Sequence, residues 1–246
     1  MAEAFRRIGG KSFEQEVAPL QRNLQNADYY VPKHQLVAEL KVLHEDKRHD
    51  PERIKAQGKI FRKLKQEGRL GLIYGRQVLN IKTIAEKDEA AVWEIFEPDR
   101  KRLRRVVEKA SKQIKQTASR LGFQDPTGLL ILCNNGDLSL QFWLIEKIMI
   151  RLLHDGQFRG INGLLIFSTN LPVQTHQGPL LPWIPVRVPG RIPPPPEMMR
   201  DLQAAYMTVR AKAVGSPTIA VDGSKMLKSP FDARLDDGST PFIGDL

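Results

Sequence analysis

The stretch from Gly128 to Ser168 constrains the fold more than any other. It runs GLLILC, then NNGD, then the apolar-rich LSLQFWLIEKIMIRLL, then INGLLIFS. Two short, continuously apolar runs are buried on both faces if they are strands, and a helix between them predicts a crossover joining parallel neighbours. That pattern belongs to the α/β class. Asn134 to Asp137 follows the first strand, where α/β proteins bind ligands, but such a stretch is more often just a turn with an N-cap.

A second pattern lies upstream, in ADYYVPKHQLVAELK, residues 27–41. A hairpin whose loop is Pro32 to Gln35 pairs Val31 with Leu36, Tyr29 with Ala38 and Asp28 with Glu39. The period of two then places Val37, Glu39, Lys41 and Leu43 on one face, and Leu36, Ala38, Leu40 and Val42 on the other. The second set is wholly apolar and fits a core. Opposed like charges weaken a sheet unless something offsets them. A divalent cation does so, because magnesium prefers carboxylate oxygens and retains waters; the Leu40 carbonyl is a further candidate ligand. Lys41, beside the acids, can orient water or stabilise charge on a phosphoryl oxygen. Asp28, Glu39 and Leu40 are thus candidate ligands for Mg2+ or Mn2+, and Lys41 is a candidate catalytic residue.

Other segments fill in around these two. Ser12 to Leu24 reads as a short helix, and Asp50-Pro51 starts another that Gly68 stops. Residues 70–84, with Leu79, Ile81 and Thr83 alternating against Asn80 and Lys82, read as two strands around Gly75-Arg76. A longer helix is expected from about Asp99 to Leu121, an edge strand from Ile184, and a last helix near Glu197 to Lys212. The organisation expected is an α/β core over 1–192 with a mixed central sheet flanked by helices. A proline-rich linker and helix follow over 193–213, then an extended, flexible or docked C-terminal tail over 214–246.

The net charge is +10 over 246 residues, with a pI near 9.8. Segment 51–70 carries +5 and segment 99–121 carries +7, which leaves −2 for the rest of the chain. Two helices therefore hold the basic surface. Lys59, Arg62 and Lys63 on the first, and Arg105, Lys109 and Lys112 on the second, are candidate contacts to nucleic acid. Either helix alone reads as a solvated basic face just as readily; an acidic site nearby favours nucleic acid, with DNA as the expected polymer.

Cys133 is the single cysteine, which excludes an intramolecular disulfide and a cysteine-based zinc cluster, and it reads as a small buried hydrophobe. The five histidines are scattered without ligand spacing. No segment reaches the roughly 18 uninterrupted apolar residues of a membrane span, and MAEAFRRIGG has no secretory character, so a soluble cytoplasmic protein with no membrane partner is expected.

Asp28 with Glu39-Leu40-Lys41, preceded by a segment bearing Glu14 and Glu16, resembles the PD-(D/E)xK phosphodiesterase superfamily, the restriction-endonuclease-like fold. The resemblance implies a metal-dependent nuclease. Asp28 and Glu39 would be ligands, Lys41 the catalytic lysine and Glu14 or Glu16 an assisting helix acid, with Gln113 or Gln116 of the basic helix facing the site. Ala27 stands where the family's name has proline. Residues 21–27 leave almost no room for the strand that the family inserts between the acidic helix and the Asp strand, a place that residues 70–84 could fill. Two alternatives stand beside it: a non-catalytic nucleic-acid-binding or assembly protein using the two basic helices, and a scaffold binding protein partners through its proline-rich segment or tail. A homodimer is compatible with all three.

Overall fold

The computed structural model describes residues 1–13, 26–70, 81–154, 156–171, 173–175 and 178–215. The expected hairpin forms with the expected register. Strand β2, Tyr29–Val31, pairs antiparallel with β3, Leu36–Leu43, with Val31 opposite Leu36 and Tyr29 opposite Ala38. Pro32 opens a 3-10 turn, and Gln35 closes it with φ 43°, a left-handed conformation uncommon outside glycine. Its side-chain oxygen accepts from the amides of Gln124 and Asp125 at 3.0 and 3.2 Å, which holds the turn against the loop before the next strand.

That strand, β4 (Thr127–Asn134), runs parallel to β3 and to β5 (Gly163–Phe167). The crossover expected from residues 128–168 is present, with helix Phe142–His154 between β4 and β5. Strand β1, Lys11–Ser12, pairs antiparallel with β2 at one edge, and β8, Trp183–Arg187, pairs antiparallel with β5 at the other. The result is a mixed sheet in the order β1-β2-β3-β4-β5-β8. A separate hairpin joins β6 (Val173–Thr175) to β7 (Gly178–Leu180).

Seven α-helices are described: α1 Ala2–Arg7, α2 Pro51–Gln66, α3 Ile81–Lys87, α4 Glu89–Ile95, α5 Glu97–Arg120, α6 Phe142–His154 and α7 Pro196–Val214. Alternation along the strands sends side chains to two cores. Val37, Leu130, Leu132, Leu164 and Ile166 meet α5 and α6 on one face. Leu36, Ala38, Leu129, Ile131 and Leu165 meet α1 and α7 on the other. Asp50 caps α2, accepting from the amides of Glu52 and Arg53, and Gly68 beyond its end takes φ 70°, as its sequence signals implied.

Two expectations change. Residues 81–84 are helical, not a strand, since Ile81 and Ile84 belong to α3, which packs with Val92 of α4 at helical spacing; positions 71–80 lie outside the described residues. The strand beside β2 is therefore β1, not residues 70–84. Ser12 is the second residue of β1, while the helix expected to follow it lies mostly in positions 14–25, outside the described residues, as does the tail beyond 215. No described helix is long and apolar enough to cross a membrane.

Candidate active site

Beyond the Tyr29–Ala38 pair the register carries Asp28 to a position opposite Glu39, and past it the amides of Leu40 and Ala27 go to side chains rather than to the facing backbone. The carboxylates bridge the strands. The Asp28 amide donates to Glu39 Oε2 at 3.2 Å, and the Leu40 amide donates to Asp28 Oδ2 at 2.7 Å. A strand residue presents its N–H and C=O on the same edge, so the Leu40 carbonyl faces the Asp28 side too. Both acids and that carbonyl thus converge on the gap at the end of β2.

Glu39 is 1% exposed. Burial, and then the negative charge of Asp28, push its carboxyl up to about 7, against opposing hydrogen bonds and charge from Lys41 and the Asp28 amide. Lys41 comes from the same face of β3, where its ammonium pairs with Glu39 Oε1. It also donates to Gln113 Oε1 of α5 at 2.9 Å. Gln113 is itself anchored, donating from Nε2 to the Asn26 carbonyl at 2.8 Å. One turn on, Thr117 Oγ1 accepts from the Ala27 amide at 2.7 Å. The helix thus fixes both the lysine and the strand entry that carries Asp28. Of the two glutamines expected to be candidates, Gln113 faces the acids. Thr117 was not singled out in the sequence, although its place four residues on puts it on the same helix face.

A cation fits this donor set. Magnesium is held by one or two carboxylates and completes its shell with water. Each carboxylate oxygen keeps further lone pairs beyond the hydrogen bonds given. The described residues contain no group of three or more His, Cys, Asp or Glu suited to a metal, so the acids number two here. Glu14 and Glu16 lie outside the described residues.

The basic residues divide. On α5, at about 100° per residue, Lys109, Arg105 and Lys112 lie about 40° to 100° round from Gln113, beginning the exposed arc beside the acids. All three are exposed and, among the described residues, make no ion pair. On α2, Lys59 and Arg62 are exposed, while Lys63 is engaged by Glu94 at 2.7 Å. The start of α2 is tied to the start of α5 by a buried pair, Arg53 with Asp99, through two hydrogen bonds of 3.1 Å. Asp99 is 14 residues, about 21 Å, from Gln113 along α5. The α5 set lies on the helix whose Gln113 holds Lys41, while α2 meets that helix at its start.

The remaining candidates resolve as structure. Asn134 Nδ2 donates to the carbonyls of Asp137 and Leu140, both at 2.9 Å, and its Oδ1 accepts from the Asp137 amide at 3.0 Å. Asp137 is fully buried and pairs with Arg102. That loop is a self-satisfied turn. Cys133 is buried in the second core, and burial pushes its thiol up to about 12, the opposite of an activated nucleophile. Comparison with protein-family models, with curated proteins and with solved structures gives no match to this chain.

Proposed function

We propose that the protein is a metal-dependent nuclease of the PD-(D/E)xK type, hydrolysing phosphodiester bonds of nucleic acid, with DNA the favoured substrate. One observation carries the reading: a fully buried Glu39 is held beside a second acid, Asp28, at the open end of a hairpin, with Lys41 fixed on the same face by Gln113. A chain gains nothing in stability from two adjacent carboxylates, one of them raised to about 7. The arrangement is accounted for if Asp28, Glu39 and the Leu40 carbonyl hold Mg2+ or Mn2+. Bound there, the ion supplies Lewis-acid polarisation of a phosphoryl group.

The chain's own residues account for the rest. The Lys41 ammonium faces the position of a phosphoryl oxygen or an attacking water, and Gln113 holds it there as a positioning residue. Arg105, Lys109 and Lys112 neutralise flanking phosphates without reading sequence. Hydrolysis forms one bond from phosphorus to the water oxygen and breaks one ester bond to a sugar oxygen.

The test uses purified wild type and the variants Asp28→Ala, Glu39→Ala and Lys41→Ala on plasmid and single-stranded DNA, with magnesium, manganese or EDTA. Each variant is expected to lose metal-dependent cleavage while retaining DNA binding. Cleavage that persists in all three would overturn the assignment. The non-catalytic binder remains the second reading, favoured by one feature: Lys41 and the Asp28 amide already satisfy Glu39 without a cation. Tight binding with no cutting under any metal would establish it.

A further inference from the structure

The exposed arc of α5 does not end at the edge facing the acids. Going round it from Gln113, the wheel brings Lys109, Arg105, Lys112 and then Lys115. At its far edge lies the loop joining α6 to β5. A Cβ at Gly160 would fall 2.8 Å from Lys115 Cγ, so the lysine stem lies on this loop, and Arg104 Nη2 donates to Gln157 Oε1 at 2.8 Å. The loop is clamped to the sheet. Gly128 and Asn162 exchange hydrogen bonds of 2.9 and 2.7 Å, and a Cβ at Gly128 would fall 1.7 Å from the Gly160 carbonyl oxygen.

Behind the loop is a cleft of about 510 Å³ bounded by His154, Gly156, Arg159, Asn162, Gly190 and Arg191. No carboxylate lines it among the described residues. Arg191 is held there by backbone carbonyls, donating to those of Phe158, Ile161 at 2.6 Å and Leu153 at 2.8 Å. Arg159 is exposed nearby and, among the described residues, makes no ion pair. Burial, and then the charge of Arg159, weaken the hold of Arg191 on its proton. The charges of Arg159 and Arg191 repel, and the fold locks Arg191 in place, so an anion seated in the cleft would be favoured.

We propose that this cleft seats a phosphate of the nucleic-acid backbone, and that the strand entering the Asp28, Glu39 and Lys41 site reaches it by crossing α5 from here. This rests on the nucleic-acid reading above and adds to it a second anchor and a direction. The crossing spans one helix, about 10–12 Å with side chains, and is lined by Lys115, Lys112, Arg105 and Lys109. The cleft has room for a nucleotide-sized unit.

The experiment compares wild type, Arg159→Glu and Arg200→Glu for binding to a fluorescent single-stranded or duplex DNA of about 30 nucleotides, by anisotropy across a range of salt. Arg200 is exposed on α7, on the other side of the sheet, and gives the same charge change away from the proposed path. Arg159→Glu should weaken binding about tenfold and lower the slope of log affinity against log salt by roughly 0.7 to 0.9, the value of one lost phosphate contact. Arg200→Glu should leave both unchanged. If wild type binds and the two variants match, the second anchor is wrong and the nuclease reading stands. If wild type binds neither DNA, both fall.

Discussion

Replacing Glu39 with glutamine isolates the electrostatic cost on which the site argument depends. Folding raises this carboxyl from 4.5 to about 7 because burial and Asp28 disfavour its charge. The folded state therefore holds the proton more tightly than the unfolded chain. Below about pH 4.5 the group is protonated in both states and costs nothing. As pH rises, the unfolded chain ionises first, stability falls, and the full cost is reached above about pH 7. At 1.36 kcal/mol per pKa unit, the difference corresponds to about 3 kcal/mol, an upper figure for a site that can relax. Glutamine at this position cannot ionise. It also cannot accept well from both the Asp28 amide and Lys41, which lowers stability by an amount independent of pH. Only the slope is diagnostic. In EDTA, the stability of wild type should decline relative to Glu39→Gln by up to about 3 kcal/mol between pH 5 and 8, measured by urea unfolding, with other titrating groups cancelling in the difference. Magnesium should restore wild type at pH 8 and leave the variant unchanged. Parallel curves across this range would refute the claim that the acids are held together at a cost.

Other expectations follow from single contacts. Gly128→Ala should destabilise by more than about 2 kcal/mol in chemical denaturation, because the new methyl would meet the Gly160 carbonyl oxygen at 1.7 Å with both backbones fixed. Arg53→Ala should cost about 3 to 5 kcal/mol, because Asp99 is 1% exposed and would be left as a buried, unpaired acid; Asp99→Asn in the same background should recover part of that. Gln113→Ala should lower kcat about tenfold or more with little change in KM, since it releases Lys41 without touching the basic stripe, and equal losses of DNA binding and turnover would argue that Gln113 is merely structural.

The hairpin was legible in the sequence because a proline marks its turn and counting back from the four-residue loop gives one pairing. That register also placed Glu39 and Lys41 on the α5 side and gave the opposition of Asp28 to Glu39. The 128–168 unit was legible because its strands are apolar on both faces and its helix is not. Other elements left weaker marks. β1 has two residues, too few for any period. In the sequence, Leu79, Ile81 and Thr83 alternate like a strand, yet Ile81 and Ile84 of α3 also share a helix face, and packing against α4, whose N-cap is Asp88, decides for the helix. The bond from Lys41 to Gln113 joins residues 72 apart in sequence, so no local pattern could choose between Gln113 and Gln116. The arginine cleft is similarly assembled from distant loops by the close approach of Gly128 and Gly160.

Direct titration of Mn2+ into the metal-free protein at pH 8, followed by calorimetry, tests the central claim most closely. Wild type should bind one or two ions per chain, releasing protons as Glu39 ionises, and the isosteric double variant Asp28→Asn, Glu39→Gln should bind none. Equal binding by the folded double variant, or no binding by wild type, would contradict the account.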